Sequence, residues 1–176
     1  MTISLCVIVK NEEENLPCLE SVSSLVTEMV VVDTGSHDKT KDIARKWGAK
    51  VYDYQWQDDF SKARNFALQF VTGDWVLVLD GDEKLNEKVI PLLKKLTGEK
   101  DNLVINLIRE EIGSNSPPYS LVSRLFRRHP QIYFSRPYHA LIDDSVIALL
   151  ERENHWRIVD LTEEVAIYHY GYQPIV

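Results

Sequence analysis

Four short apolar runs occupy the first half of the chain, each running into polar residues and each followed by a segment of helical periodicity. Ile3–Val9 is apolar and β-branched, as a strand buried on both faces must be. Leu16, Leu19 and Val22 then recur at every third position and Val26 follows at the fourth, which predicts a helix. Met29–Val32 is the second strand and ends at Asp33. Asp38 is placed to cap a helix carrying Ile43, Ala44 and Trp47 and stopped by Gly48. Val51–Tyr54 is a third, weaker strand. Phe60, Ala63, Ala67 and Phe70 have helical spacing, in a helix opened by Asp58 or Asp59 and closed by Gly73. Trp75–Leu79 is the fourth buried strand, and Glu87–Leu96 a further helix with Pro91 in its first turns. Strict strand–helix alternation folds as an α/β domain with a mostly parallel central sheet and helices on both faces.

After Leu96 the pattern becomes β-rich. Leu103–Ile108, Leu121–Phe126, Ile132–Phe134, Arg157–Val159 and Val165–Tyr170 read as strands, and Ser145–Arg152 as a short helix. Residues 113–118, Gly-Ser-Asn-Ser-Pro-Pro, read as a mobile loop inside one domain spanning 1–176 rather than as a linker. Lys and Arg total 20 against 27 Asp and Glu, a net charge of −7, which argues against a duplex nucleic-acid binder. No apolar run approaches a bilayer span, so no transmembrane segment is expected. The two cysteines, Cys6 and Cys18, show neither a zinc-binding spacing nor a disulfide framework, which fits a reducing, cytoplasmic setting.

Ligands of open parallel sheets sit beyond the carboxyl ends of the strands. Here those ends read Lys10-Asn11-Glu12, Asp33-Thr34-Gly35-Ser36 and Asp80-Gly81-Asp82. Asp80 and Asp82 flank a glycine directly after a buried strand. Such a pair of hard oxygen donors suits Mg²⁺ or Mn²⁺ and hence a diphosphate, or else forms a solvated acidic turn. Asp33 is either a turn residue or an acceptor for a nucleobase or ribose. Neither a dinucleotide-binding glycine motif nor a P-loop occurs.

Four segments together resemble family 2 glycosyltransferases, in the subgroup that opens on Val-Lys-Asn-Glu-Glu. They are Ser4–Leu16, Val30–Thr40, Phe60–Asn65 and Gly73–Glu83; Arg124–Arg127 and Tyr168–Tyr172 extend the likeness more loosely. The resemblance implies a GT-A fold with a nucleotide-binding half, 1–98, and a small β-rich acceptor-side half, 99–176. It implies metal-dependent, inverting transfer of a sugar from a nucleotide-diphosphate donor, a UDP-sugar before a GDP-sugar, to a saccharide, lipid or protein acceptor. By matching motif, Asn11, Glu12 and Asp33 would hold the nucleoside and Arg64 would lie near the diphosphate or base. Asp80 would meet ribose and metal, Asp82 would ligate the metal, and His169 would complete the shell around Mn²⁺ or Mg²⁺.

The sequence departs from that pattern where the subgroup usually carries a His-Glu pair, because His139 is followed by Ala140, which cannot accept a proton. Asp143 and Asp144 remain as base candidates, or as a solvated turn. The same departure leaves a nucleotide-sugar binding module as the alternative function; a nucleotidyltransferase is disfavoured because Val7–Glu12 lacks the glycines of a triphosphate loop. Arg124, Arg127, Arg128 and His129 would either meet an anion or form a charged strand end. Trp47 and Trp75 are expected in the core and Trp56 near the ligand. Relatives of this kind often continue, beyond the point where this chain stops, into helical repeats.

Overall fold

A computed structural model describes residues 1–14, 16–114 and 119–171. Its first elements are β1 (Ile3–Val9), α1 (Pro17–Ser21), β2 (Glu28–Asp33), α2 (Thr40–Lys46), β3 (Lys50–Asp53), α3 (Phe60–Leu68) and β4 (Trp75–Val78). There follow β5 (Glu83–Leu85), a 3-10 turn at Glu87–Val89, α4 (Ile90–Gly98), β6 (Asn102–Glu111), β7 (Tyr119–Arg127), α5 (Asp143–Arg152) and β8 (Arg157–His169). All strands join one sheet in the order β3-β2-β1-β4-β7-β6-β8-β5. β3, β2, β1, β4, β6 and β8 run one way, and β7 and β5 run against them. Because β4 pairs with β7 and β5 with β8, the segments before and after residue 98 share one set of ladders.

Alternation along each strand divides the apolar residues between two cores, as the period of a strand requires. Leu5, Val7, Val31, Leu77 and Ile105 pack under α1, α2 and α4 with Leu19, Ala44 and Leu93. Cys6, Val30, Val32, Val76 and Phe126 face the other way, against Ala67 of α3 and Val146 and Leu149 of α5. Helix α2 ends in a Schellman motif: Gly48, at φ +80°, donates to the Arg45 carbonyl, and Ala49 donates to Ala44. Asp59 caps α3, accepting from the Lys62 amide at 3.1 Å.

Several expectations are corrected. Helix α3 stops at Leu68, and Gly73 instead donates to Ser4 Oγ at 2.8 Å. A Cβ at Gly73 would meet the Ser4 amide nitrogen at 2.8 Å, so the glycine permits the close approach of the chain entering β4 to β1. Ile132–Phe134 joins no strand; Asn65 instead both donates to the Phe134 carbonyl at 2.8 Å and accepts from its amide at 2.7 Å. Side-chain partners can meet backbone groups that a neighbouring strand would otherwise satisfy. Arg157–Val159 and Val165–Tyr170 fuse into the single long β8, through shifts in register against β6. Trp75 is fully buried, but Trp47 caps the end of α2 and is 42% exposed. The proposed loop residues 115–118, together with Asn15 and Tyr172, lie outside the described residues. Among those described, no helix is long and apolar enough to cross a membrane.

At the opposite end of the sheet from the carboxyl clusters, Glu28 accepts from Ser4 Oγ at 2.6 Å, the Thr72 amide at 2.8 Å and Lys50 Nζ at 2.8 Å. Burial works against its ionisation, but Lys50, Ser4 and Thr72 outweigh burial and hold the carboxyl at about 2. The folded value lies below the unfolded one, so this stabilisation is complete above pH 4.5 and is lost as pH falls through about 2. After allowance for screening at the exposed Lys50, it is expected to be about 1–2 kcal/mol. Urea titrations between neutral pH and the acid limb should show this loss in the native chain and a flatter limb in Glu28→Gln.

Candidate active site

The carboxyl ends of β1, β2 and β4 open onto one edge of the sheet, and a cavity of about 390 Å³ lies there. Lys10, Glu12, Thr34, Trp56, Asp80 and Asp82 are among its walls. Glu12 faces the acidic turn: a Cβ on Gly81 would meet Glu12 Cγ at 3.3 Å. Burial first, then the negative charges of Asp82, Asp38 and Asp80, push the Glu12 carboxyl up to about 7.

Asn11 adopts φ +55°, and its side chain accepts from the His37 amide at 2.9 Å, while its own amide donates to Ser36 Oγ at 2.8 Å. It thus pins the turn after β2. Asp33 is 1% exposed; its Oδ1 accepts from the Gly35 and Ser36 amides at 3.0 and 2.9 Å. Its Oδ2 is buried without a partner among the described residues, an acceptor one residue before Thr34 of the cavity wall.

Asp82 and His169 come together across 87 residues of chain, because β5 pairs antiparallel with β8 and Tyr170 donates to the Asp82 carbonyl. His169 Nε2 lies 3.2 Å from Asp82 Oδ2, and Nδ1 bonds Glu111 Oε2. Asp82, against the opposition of burial and with the help of Glu111, raises the imidazole to about 9. A Cβ on Gly171 would sit 2.8 Å from His169 Nε2 and 3.0 Å from Asp82 Oδ2, so glycine keeps that flank open. A carboxylate and an imidazole that converge, with the second ring nitrogen fixed by a carboxylate, suit a divalent cation. Among the described residues no group of three such donors forms.

Asp80 is oriented differently from Asp82. Its Oδ1 pairs with Arg64 at 2.6 Å and its Oδ2 with Arg124 at 2.8 Å. Burial alone would raise the Asp80 carboxyl; Arg124 and Arg64 override it and hold it far below the usual range. Glu83, fully buried, accepts from the Asp80 amide at 2.8 Å and pairs with Arg109 at 3.2 Å and Arg124 at 3.4 Å. Arg109 also reaches Glu111 at 2.6 Å. One network therefore runs Arg64–Asp80–Arg124–Glu83–Arg109–Glu111–His169–Asp82.

A second cavity, also about 390 Å³, shares Asp80 and Phe60 with the first and is lined by Arg64, Arg109 and Arg124. His139 and Ala140 belong to its wall. Asp143 and Asp144 do not: they open α5, with Asp143 accepting from Ser123 Oγ at 2.9 Å and Asp144 pairing with Arg136 at 3.1 Å. The basic run after β7 is also divided. Arg124 lies in the second cavity, whereas Arg127 donates to the Asn102, Glu99 and Lys100 carbonyls, and Arg128 to Gly73. Sequence reasoning missed Glu83, Arg109 and Glu111. The one available signal was the charged end of β6, Arg109-Glu110-Glu111, after the largely apolar Leu103–Ile108.

Solved structures with this architecture include Staphylococcus aureus TarS 1-349 in complex with UDP-GlcNAc, at TM-score 0.80 and 21% identity, covering 98% of this chain and 59% of that one. Another is glucosyl-3-phosphoglycerate synthase from Mycobacterium tuberculosis with Mn²⁺, UDP and phosphoglyceric acid, at TM-score 0.71 and 20% identity, covering 97% and 71%. The fold is accordingly GT-A. In sequence, the chain is 48% identical over 171 residues to a TPR repeat-containing protein of Synechococcus elongatus, covering 97% of this chain and 42% of that protein. It is 27% identical over 180 residues to the SPbeta prophage-derived glycosyltransferase SunS of Bacillus subtilis, covering 98% and 40%. The chain thus spans about two fifths of the length of these two relatives. A model of Glycosyl transferase family 2 matches residues 4–159, the stretch that carries every strand-end carboxylate of the first cavity, and the chain belongs to that family.

Proposed function

We propose that this chain transfers a sugar from a UDP-sugar to an acceptor hydroxyl, with inversion at the anomeric carbon and with Mn²⁺ or Mg²⁺. We also place it in the subgroup opening on Val-Lys-Asn-Glu-Glu. The observation that carries this reading is the pair of cavities meeting at Asp80, one edged by the acidic turn and the other by arginines. Such a pair separates a donor site from an acceptor site. Neighbouring folds bound to UDP, UDP-GlcNAc or Mn²⁺ support the choice of donor and ion.

Asp82 and His169 are the residues to hold the ion, with Glu111 fixing the imidazole. When bound, a divalent cation supplies Lewis-acid stabilisation of the departing diphosphate. Asp33 Oδ2 is the acceptor for a nucleoside N–H or hydroxyl, over a floor set by Asn11, and Glu12 stands beside the acidic turn. Arg64 lines the second cavity but is bridged to Asp80, which both cavities share, and through that junction it would lie near the donor diphosphate. For the base we keep Asp143 or Asp144 at the start of α5, which would act from a shifted loop; a saccharide, lipid or protein supplies the hydroxyl. A second reading, donor binding without turnover, is favoured by one specific observation: Ala140 lines the cavity where a carboxylate would accept the proton.

Calorimetry with UDP and GDP, with and without Mn²⁺, followed by a donor-hydrolysis assay, tests both. Metal-dependent UDP binding with sugar release is the expected result. Binding without release on any acceptor supports the second reading, and absence of binding overturns the donor site.

A further inference from the structure

We propose that the second cavity recognises the acceptor through an anionic group, a phosphate or a carboxylate carried by the hydroxyl-bearing molecule, and that Arg109 and Arg124 are its specificity residues. The inference rests on the reading that the first cavity takes the donor.

The walls of the two cavities carry opposite charge. Lys10 faces Glu12, Asp80 and Asp82 in the first, whereas Arg64, Arg109 and Arg124 face Asp80 alone in the second. A low-dielectric pocket lined by one sign of charge concentrates ligands of the other. The counter-charges that keep these arginines folded are already committed. Asp80 uses one oxygen for Arg64 and the other for Arg124, and Glu83, with no exposed surface, sits behind Arg109 and Arg124.

Even so, each guanidinium keeps a buried N–H without an acceptor among the described residues: Arg64 Nε, Arg109 Nε and Arg124 Nη1. Buried donors left unpaired cost stability, and an anion brought against the exposed part of these side chains, 22% for Arg109 and 12% for Arg124, offsets that cost through its charge. Glu83 holds two guanidiniums in fixed orientation, so little side-chain entropy is lost when an anion binds. Arginine forks suit the planar, multidentate geometry of carboxylate and phosphate. The rest of the wall is apolar or aromatic, with Phe60, Tyr138, Val122 and Leu141. Tyr138 is 62% exposed and lies edge-on to Phe60 at 6.4 Å between ring centres, so the rim offers aromatic surface to the body of the acceptor.

The test is calorimetric titration of inorganic phosphate into the protein saturated with UDP and Mg²⁺, and into the protein alone. Saturable binding is expected in both. Arg109→Gln should weaken it at least tenfold, and Arg109→Lys should recover part of the loss. Tyr138→Glu, at an exposed position that adds a carboxylate to the rim of the second cavity only, should weaken phosphate similarly while UDP affinity changes less than about threefold, and it serves if Arg109→Gln does not fold. Glucose 6-phosphate, glucuronate and glucose then separate the sources of the anion, with the charged sugars displacing phosphate and glucose not. Competition between UDP and phosphate, with Tyr138→Glu weakening both alike, would overturn the proposal by giving these arginines to the donor diphosphate. No phosphate binding in either titration would overturn it too. Failure of UDP alone to bind leaves the phosphate titration into free protein intact and counts only against the donor reading.

Discussion

Asp80→Asn is expected to lower the free energy of unfolding by about 3 kcal/mol, the lower end of the cost of breaking a buried ion pair. Arg64 and Arg124 have side chains only 9% and 12% exposed, and each is held by a different oxygen of Asp80. Asparagine can satisfy at most one of those guanidiniums as an acceptor and removes the charge from both. The remaining exposure of Asp80, 30%, lets solvent compensate part of the loss and keeps the estimate at the low end. For a chain of this size about 3 kcal/mol corresponds to roughly 6–12 °C in the thermal midpoint. Urea denaturation of the variant checks the value. The double variant Asp80→Asn/Arg124→Gln should cost less than the two single changes added, since the second removes a charge that the first orphaned. A loss below about 1 kcal/mol, together with loss of UDP binding, would show that Asp80 serves the ligand rather than the fold.

Two residues on, the same substitution should act on chemistry. Asp82→Asn is expected to cut metal-dependent UDP affinity and donor turnover by about 10²-fold or more, with stability changed by less than about 1 kcal/mol. The Asp82 carboxylate meets no arginine; its partner is His169, at 3.2 Å, beside the flank that Gly171 leaves open. Losing the carboxylate removes an anionic oxygen donor while leaving no buried cation unpaired. Glu111→Gln should fall between, weakening Mn²⁺ by about 10–100-fold, since it acts through the orientation of the His169 ring. Mn²⁺ titration of UDP binding separates the three cases. Undiminished Mn²⁺-dependent binding in Asp82→Asn would sink the assignment of this turn to the ion.

The alternation of strand and helix was readable because each signal is local. Val30, Val31 and Val32 fill both faces of a strand whatever lies beside them, and Gly48 ends α2 through its own backbone. The strand-end clusters were readable for the same reason, once a parallel sheet is granted. Local signals failed where partners are distant. Ile132–Phe134 has the apolar content of a strand, but Asn65, far along the chain, takes the hydrogen bonds that a neighbouring strand would have taken. Asp143 and Asp144 are close in sequence to His139, yet they open a helix outside the cavity that His139 lines.

By itself the sequence determined the succession of strands and helices in the first half, the carboxyl-end location of Asp33, Asp80 and Asp82, and the family. Tertiary structure alone decided that Asp80 bonds two arginines while Asp82 faces His169, and that Arg124 enters a cavity while Arg127 ties down backbone carbonyls. The division has one physical cause. Burial and backbone preference act within a few residues and leave periodic traces in the chain. Which charge meets which depends on the register of β5, β6, β7 and β8, set by the packing of the whole sheet.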